Sequence, residues 1–120
     1  MWGPNMIEVN VANWTKEVKE SKIPVLVDCS AAWCGPCKMM IPVLKKIEQD
    51  FSEKVKFVSL DVDQRTDDEW AKGGSDLARE LRITSIPCFI FFKDGVEKDR
   101  VVGYSGEFGL GRWIDILLAG

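Results

Sequence analysis

The sequence contains no histidine. Histidine is the usual general base near neutral pH and the usual activator of a cysteine thiol, so any cysteine chemistry in this chain must be tuned by other means. The sequence also lacks a cluster of Lys or Arg, and its formal net charge is −3. Because nucleic acids and anionic membranes attract basic patches, we expect neither as a partner.

Long apolar runs are missing as well, since none approaches the roughly 20 residues that a membrane-spanning helix needs. The stretch from Met1 to Met6 has neither the basic start nor the apolar core of a signal peptide, which favours a cytoplasmic protein. The chain has 120 residues, of which 46% are hydrophobic and 29% charged. These values predict a single globular domain over residues 1–120 with a hydrophobic core of its own.

Four cysteines are present: Cys29, Cys34, Cys37 and Cys88. An even number permits disulfides, but a domain with this core does not need structural bridges, and the cytosol keeps thiols reduced. The alternative is a zinc or iron–sulfur site. Zinc takes about four nitrogen or sulfur ligands, and the sequence has no second Cys-x-x-Cys and no histidine. Cys29 and Cys88 could in principle complete a four-thiolate site, but both lie in apolar strand patterns. We therefore expect no metal.

The hydrophobic pattern alternates between strand and helix periods. Strands are predicted at residues 7–9, 23–29, 55–62, 86–92 and 96–103, and helices at residues 10–20, 34–51, 75–81 and 107–118. Ser75 is expected to cap the third helix, and Lys93-Asp94-Gly95 marks a hairpin turn. Strand–helix–strand units give parallel neighbours, whereas the hairpin must be antiparallel. The prediction is an α/β fold with a mixed central sheet and helices on both faces.

Cys34 and Cys37 stand at the start of the strongest predicted helix. Residues three apart in a helical turn lie roughly 5–6 Å apart, within the range that a disulfide can bridge. The unpaired N–H groups and the dipole of the helix N-terminus stabilise a thiolate at Cys34, and Pro36 loses no hydrogen bond there. We predict that Cys34 is an exposed nucleophile and that Cys37 is the resolving thiol.

At these residues the sequence resembles the thioredoxin family, from about Ile7 to Leu118. The most specific match is the string Trp33-Cys34-Gly35-Pro36-Cys37, and weaker matches follow the family's order at Val25–Asp28, Asp61–Gln64, Ile86–Pro87, Phe92–Gly95 and Gly103. The resemblance implies a thioredoxin-like fold and a thiol–disulfide oxidoreductase that reduces disulfides in protein targets by dithiol exchange.

The resemblance also implies residue roles. Cys34 attacks the target disulfide and Cys37 resolves the mixed disulfide, while Asp28 matches a buried carboxylate that accepts the proton of the resolving thiol. From the pattern alone, an Asp in an apolar strand should have a raised pKa, unless it lies at the wet end of the strand. Pro87 matches a cis-proline that faces the dithiol.

A docking surface for substrate follows from the same resemblance. The backbone of Ile86 would pair with an extended target segment, and Trp33, Gly35, Pro36 and Gly103 would complete the surface. Trp33 could instead belong to the core. The electron donor would be a thioredoxin reductase whose flavin is linked to NADPH or ferredoxin. Because this chain has no Gly-rich dinucleotide motif, we expect it to have no cofactor of its own. We also expect it to be a monomer.

The sequence departs from the family pattern at four places. Ser30 replaces a common tryptophan, Ser59 replaces a lysine beside the buried carboxylate, and Cys88 replaces a threonine. The loop over residues 65–76 is longer than the family's and carries Trp70. Ser59 predicts a differently tuned proton relay. Cys88 is either an inert buried thiol or a regulatory one, and the loop is either a harmless extension or a partner-selecting element.

Two alternative functions remain from the sequence. One is a disulfide oxidant or isomerase of the same fold acting outside the cytosol, although Gly35-Pro36 resembles the reducing members of the family. The other is a redox-silent binding module that uses the fold as a scaffold, although the chain retains both cysteines of the pair.

Overall fold

The computed structural model of this chain describes residues 6–65, 73–104 and 106–120. The described part contains the strands β1 (Ile7–Glu8), β2 (Val25–Ser30), β3 (Lys56–Asp61), β4 (Cys88–Lys93) and β5 (Val96–Val102). It also contains the helices α1 (Gly35–Phe51), α2 (Gly74–Glu80) and α3 (Glu107–Ala119), and one turn of π-helix at Thr15–Lys19. Trp70 and most of its predicted loop lie outside the described residues.

The five strands form one sheet in the order β1-β3-β2-β4-β5. β3 lies parallel to β1 and β2, and β4 runs antiparallel to both β2 and β5. The turn between β4 and β5 has positive φ at Asp94 and Gly95, as a tight hairpin requires. The predicted mixed sheet with an antiparallel terminal hairpin is therefore confirmed.

Helices cover both faces of the sheet, as the sequence predicts. One core cluster joins α1 and α3 to the sheet and includes Leu44 and Phe91. The other cluster lies on the opposite face, where Val18 of the π-helical turn and Leu77 of α2 pack with Ile90. Because successive side chains of a strand point to opposite faces of the sheet, Phe91 and Ile90 belong to different core clusters.

The longest helix, α1, places the predicted apolar stripe in the core. Met40, Leu44, Ile47 and Phe51 are all buried, while most of the intervening positions are exposed. The helix continues through Pro42, and Cys34 is its N-cap residue. Within the described residues, no helix has both the length and the apolar character needed to cross a membrane.

The predicted helix over residues 10–20 is wrong in extent. Residues 11–13 form a turn, and the π-helical turn follows it. Asn10 Oδ1 accepts the backbone N–H groups of Ala12 and Asn13, at 2.8 and 3.2 Å. Asparagine side chains that bond to nearby backbone compete with helix formation, which explains why the helical ladder does not form over these residues.

The prediction that Ser75 caps the third helix is also wrong. α2 begins one residue earlier, with Gly73 as its N-cap, so Ser75 lies inside the helix. The side-chain oxygen of Gln64 accepts the backbone N–H of Gly74, and the carbonyl oxygen of Gln64 accepts the backbone N–H of Ser75. A Cβ at Gly74 would come 2.2 Å from the carbonyl oxygen of Asp61. The close approach of Gly74 to the end of β3 and to Gln64 therefore fixes where the helix begins.

Candidate active site

The sheet register brings the predicted site segments to one edge. Cys88, which begins β4, pairs with Cys29 near the end of β2 and with Val102 at the end of β5. At the same edge Ser30 pairs with Asp61 at the end of β3. The loop that leads to α1 and the segments next to Pro87 and Gly103 therefore leave the sheet at this edge.

Cys34 and Cys37 are joined by a disulfide, with their Cα atoms 5.2 Å apart. Cys34 has an extended backbone with φ −84° and ψ 108°, and its Sγ accepts the backbone N–H of Cys37 at 3.2 Å. Pro36 lies in the first turn, where no hydrogen-bond donor is lost. The predicted redox pair is present at the N-terminus of α1.

The expectation of an exposed Cys34 is wrong for the disulfide form. Cys34 and Cys37 are each only 3% exposed. Because the N-cap geometry turns Cys34 Sγ back over the first turn of α1, the sulfur lies against the Cys37 amide and its bonded partner. The residues around the pair are open: Trp33, Gly35 and Pro36 are exposed.

Asp28 lies in β2 and is 3% exposed. Burial raises the pKa of its carboxyl from 3.8 to about 7. The alternative of an Asp at the wet end of the strand is therefore excluded. Ser59 is buried and pairs with Asp28 in the parallel β2–β3 register. Within the described residues no Lys or Arg forms an ion pair with Asp28, so its carboxyl can gain or lose a proton near neutral pH.

The Ile86–Pro87 peptide bond is cis, as the resemblance implies. Pro87 is buried and Ile86 is half-buried. The carbonyl of Pro87 accepts the N–H of Gly103 at 2.8 Å. Gly103 has a φ of 100°, a conformation that residues with a side chain rarely adopt. This hydrogen bond ties the end of β5 to the residue that precedes β4.

Trp33 is 69% exposed, which excludes the alternative that it belongs to the core. Its indole N–H donates to Oδ2 of Asp63. An open depression lies beside it, lined by Trp33, Val62, Ile83, Thr84, Ser85 and Ile86. The depression joins two of the predicted docking residues, whereas Gly35, Pro36 and Gly103 do not line it. Sequence reasoning missed the role of Asp63; its position just after a predicted strand end was the available signal.

Three of the four departures from the family pattern, Ser30, Ser59 and Cys88, lie inside the protein. Ser30 is 1% exposed, and its Oγ has no hydrogen-bond partner among the described residues. Cys88 is buried directly opposite Cys29 across β2 and β4, a pairing that the sequence did not reveal. In the parts of the chain that the structure describes, no group of three or more Cys, Asp or Glu side chains is placed to hold a metal ion.

Two cysteines at a helix N-terminus, with an amide directed at the first sulfur, form a site that can open and close a disulfide. Proteins with such a site exchange thiols and disulfides with their partners. The chain matches the Thioredoxin family model over residues 5–115, and it belongs to the thioredoxin family.

Two thioredoxins from other sources are similar to most of this chain. The thioredoxin of Rickettsia felis is 36% identical over 107 residues, which cover 89% of this chain and 93% of that protein. Thioredoxin 1 of Synechococcus elongatus is 40% identical over 107 residues, covering 89% of this chain and 92% of that protein. With the Cys34–Cys37 disulfide, this membership makes the chain a thiol–disulfide oxidoreductase that reduces disulfides in protein targets.

Proposed function

We propose that Cys34 is the nucleophile of this reductase and that Cys37 is its resolving thiol. The thiolate of Cys34 attacks one sulfur of a target disulfide, and the other target sulfur leaves as a thiolate. Cys37 then attacks Cys34 Sγ, which releases the second target thiol and restores the Cys34–Cys37 disulfide. Two electrons pass from the protein to its target.

The observation that carries this assignment is the hydrogen bond from the Cys37 backbone N–H to Cys34 Sγ. Hydrogen bonding and the positive end of a helix dipole both favour the charged form of a sulfur at the N-cap. Cys37 lies one turn inside α1 and is therefore farther from the positive end of the helix dipole.

The test is to trap the mixed disulfide. With Cys37→Ser, attack proceeds and resolution cannot, so we expect a covalent adduct between Cys34 and a target protein with one disulfide. The matched control Cys34→Ser should give no adduct of comparable yield. An adduct that forms through Cys37 in the control, or none through Cys34, would reverse or refute the assignment. Peptide mapping of the non-reduced adduct distinguishes these outcomes.

Asp28 is proposed as the acceptor of the Cys37 proton. Its burial and its pKa of about 7 support this role, because a base works best when its pKa lies near the working pH. We expect Asp28→Asn to slow resolution on the order of 100-fold while attack, measured in the Cys37→Ser background, changes little. Equal slowing of both steps in single-turnover kinetics would exclude the relay.

Target proteins are proposed to dock at the edge around the disulfide. An extended target segment would pair with the backbone of Ile86 beside Pro87 and lie against Trp33. The depression that joins Trp33 to Ile86 supports this placement. Gly35, Pro36 and Gly103 would form the rest of the contact, since Gly35 and Pro36 are exposed next to the disulfide.

The electron donor is proposed to be a flavin-containing reductase. The protein itself is proposed to be a monomer and to act in the cytoplasm. A relative from Mycobacterium leprae, 40% identical over 104 residues, is named as a bifunctional thioredoxin reductase/thioredoxin. The free thiols of Cys29 and Cys88 suit a reducing compartment. Reduction of the oxidised chain by NADPH-linked and ferredoxin-linked reductases, compared side by side, identifies the donor. Failure with both would reject this proposal.

A further inference from the structure

A second pair of cysteines lies inside the sheet. Cys29 of β2 and Cys88 of β4 are direct partners in the antiparallel pairing, and both carry free thiols. Directly opposed residues of such strands have Cα atoms about 4.5 or 5.5 Å apart, and both distances allow a disulfide. Both side chains belong to the core cluster that α2 covers, so they project from the same face of the sheet.

The two thiols already interact. The interaction with Cys29 lowers the pKa of Cys88, and the interaction with Cys88 raises the pKa of Cys29, so we assign the attacking role to Cys88. The guanidinium of Arg100 also lowers the pKa of Cys88. Arg100 is held in place by Glu97 and by the carbonyl of Leu81, at 2.6 and 3.0 Å. This arrangement resembles that of reactive thiols, which lie near a cation.

The open depression beside Trp33 lies close to the core cluster that contains this pair. Val62, Ile83 and Ile86 pack against the core cluster that contains both cysteines, and the same three side chains line the open depression beside Trp33. A single layer of side chains therefore separates the depression from the cluster. A protein-sized disulfide cannot reach thiols that are 0% and 1% exposed, whereas a hydroperoxide close to water in size needs only a local opening.

We propose that Cys29 and Cys88 form a second redox-active dithiol, which reduces a hydroperoxide and closes to a cross-strand disulfide. The sulfur of Cys88 attacks one peroxide oxygen, the O–O bond breaks, and Cys88 becomes a sulfenic acid while water or an alcohol leaves. Cys29 then attacks Cys88 Sγ, the S–O bond breaks, and a water molecule leaves with the proton of Cys29. The dithiol loses two electrons and the peroxide gains them.

The test uses hydrogen peroxide and the protein in its Cys34–Cys37 disulfide form, in which Cys29 and Cys88 are the remaining thiols. We expect both thiols to be lost together after treatment, with one peroxide consumed per chain. A peptide containing Cys29 linked to one containing Cys88 should appear by mass mapping of monomeric protein. Persistence of both thiols, a bond between two chains, or overoxidised Cys88 without the linked peptide would overturn the proposal.

Matched variants distinguish the chemistry of Cys29 and Cys88 from that of the Cys34–Cys37 pair. The double variant Cys34→Ser/Cys37→Ser should consume peroxide and form the same linked peptide, since the second dithiol acts alone. Adding Cys88→Thr to that variant should leave the Cys29 thiol intact under the same treatment. Loss of the Cys29 thiol at an unchanged rate in the triple variant would contradict the roles assigned to the two cysteines.

Discussion

At the scale of single residues, the buried carboxyl of Asp28 makes the stability of the protein depend on pH. Its pKa is about 7 in the folded chain against an ordinary value of 3.8. Between these two values the folded protein keeps a proton that the unfolded chain loses. Stability therefore falls as pH rises through this window, and the full deficit, on the order of 4 kcal/mol, is present above about pH 7.

The first prediction removes this charge. Asp28→Asn should raise the free energy of unfolding by on the order of 4 kcal/mol at about pH 8 and change it little at about pH 4, where the native carboxyl is already neutral. Urea denaturation of both proteins at the two pH values measures the difference. A gain of equal size at both pH values would show that packing, and not the buried charge, causes it.

Trp33 carries the second residue-scale prediction. If its exposed ring contacts target proteins, Trp33→Ala should lower kcat/KM for a protein disulfide by about tenfold, the usual effect of truncating an aromatic anchor. Phe108→Ala is the matched control, because Phe108 is also an exposed aromatic but lies in α3 against the C-terminal end of α1. A similar loss in both variants, or in neither, would remove Trp33 from the docking surface.

Single elements differ in how much of their structure the sequence could reveal. The start of α1 at the Cys34–Cys37 pair and its stripe of buried residues follow from local spacing, and the structure confirms both. The predicted helix over residues 10–20 and the cap at Ser75 were wrong because side chains of Asn10 and Gln64 bond to the backbone there. The spacing of hydrophobic residues along the sequence gives no information about such competing hydrogen bonds.

At the scale of elements, alanine substitutions of two glycines should change the stability of the protein in opposite directions. Gly109 lies inside α3 and Gly103 follows β5 with a φ of 100°, and an added Cβ would meet nothing within 4 Å at either position. Gly109→Ala should stabilise the protein by about 1 kcal/mol, because alanine favours a helix. Gly103→Ala should destabilise it by about 1–2 kcal/mol through backbone strain alone. Thermal unfolding of both variants tests the pair, and changes of the same sign would contradict it.

At the scale of the whole molecule, long-range register decides what the sequence could not show. The order of elements along the chain predicts a mixed sheet, but it does not predict which residues of β2 and β4 face each other. That register places Cys29 opposite Cys88, and the return of the chain after β3 places Asp63 under Trp33. Contacts between distant segments have no local pattern, so the sequence predicted the Cys34–Cys37 pair and its docking residues but not the contact of Asp63 with Trp33 or the pairing of Cys29 with Cys88.

The most direct test of the central claim determines which pair of cysteines is oxidised when a target disulfide is reduced. The fully reduced protein is mixed with a disulfide-containing target, quenched by alkylation, and mapped by mass spectrometry. We predict that the target gains two thiols while Cys34 and Cys37 become a disulfide and Cys29 and Cys88 stay reduced. A target that remains oxidised, or one whose reduction leaves Cys34 and Cys37 alkylated as free thiols, would contradict the assignment of this pair as the reducing dithiol.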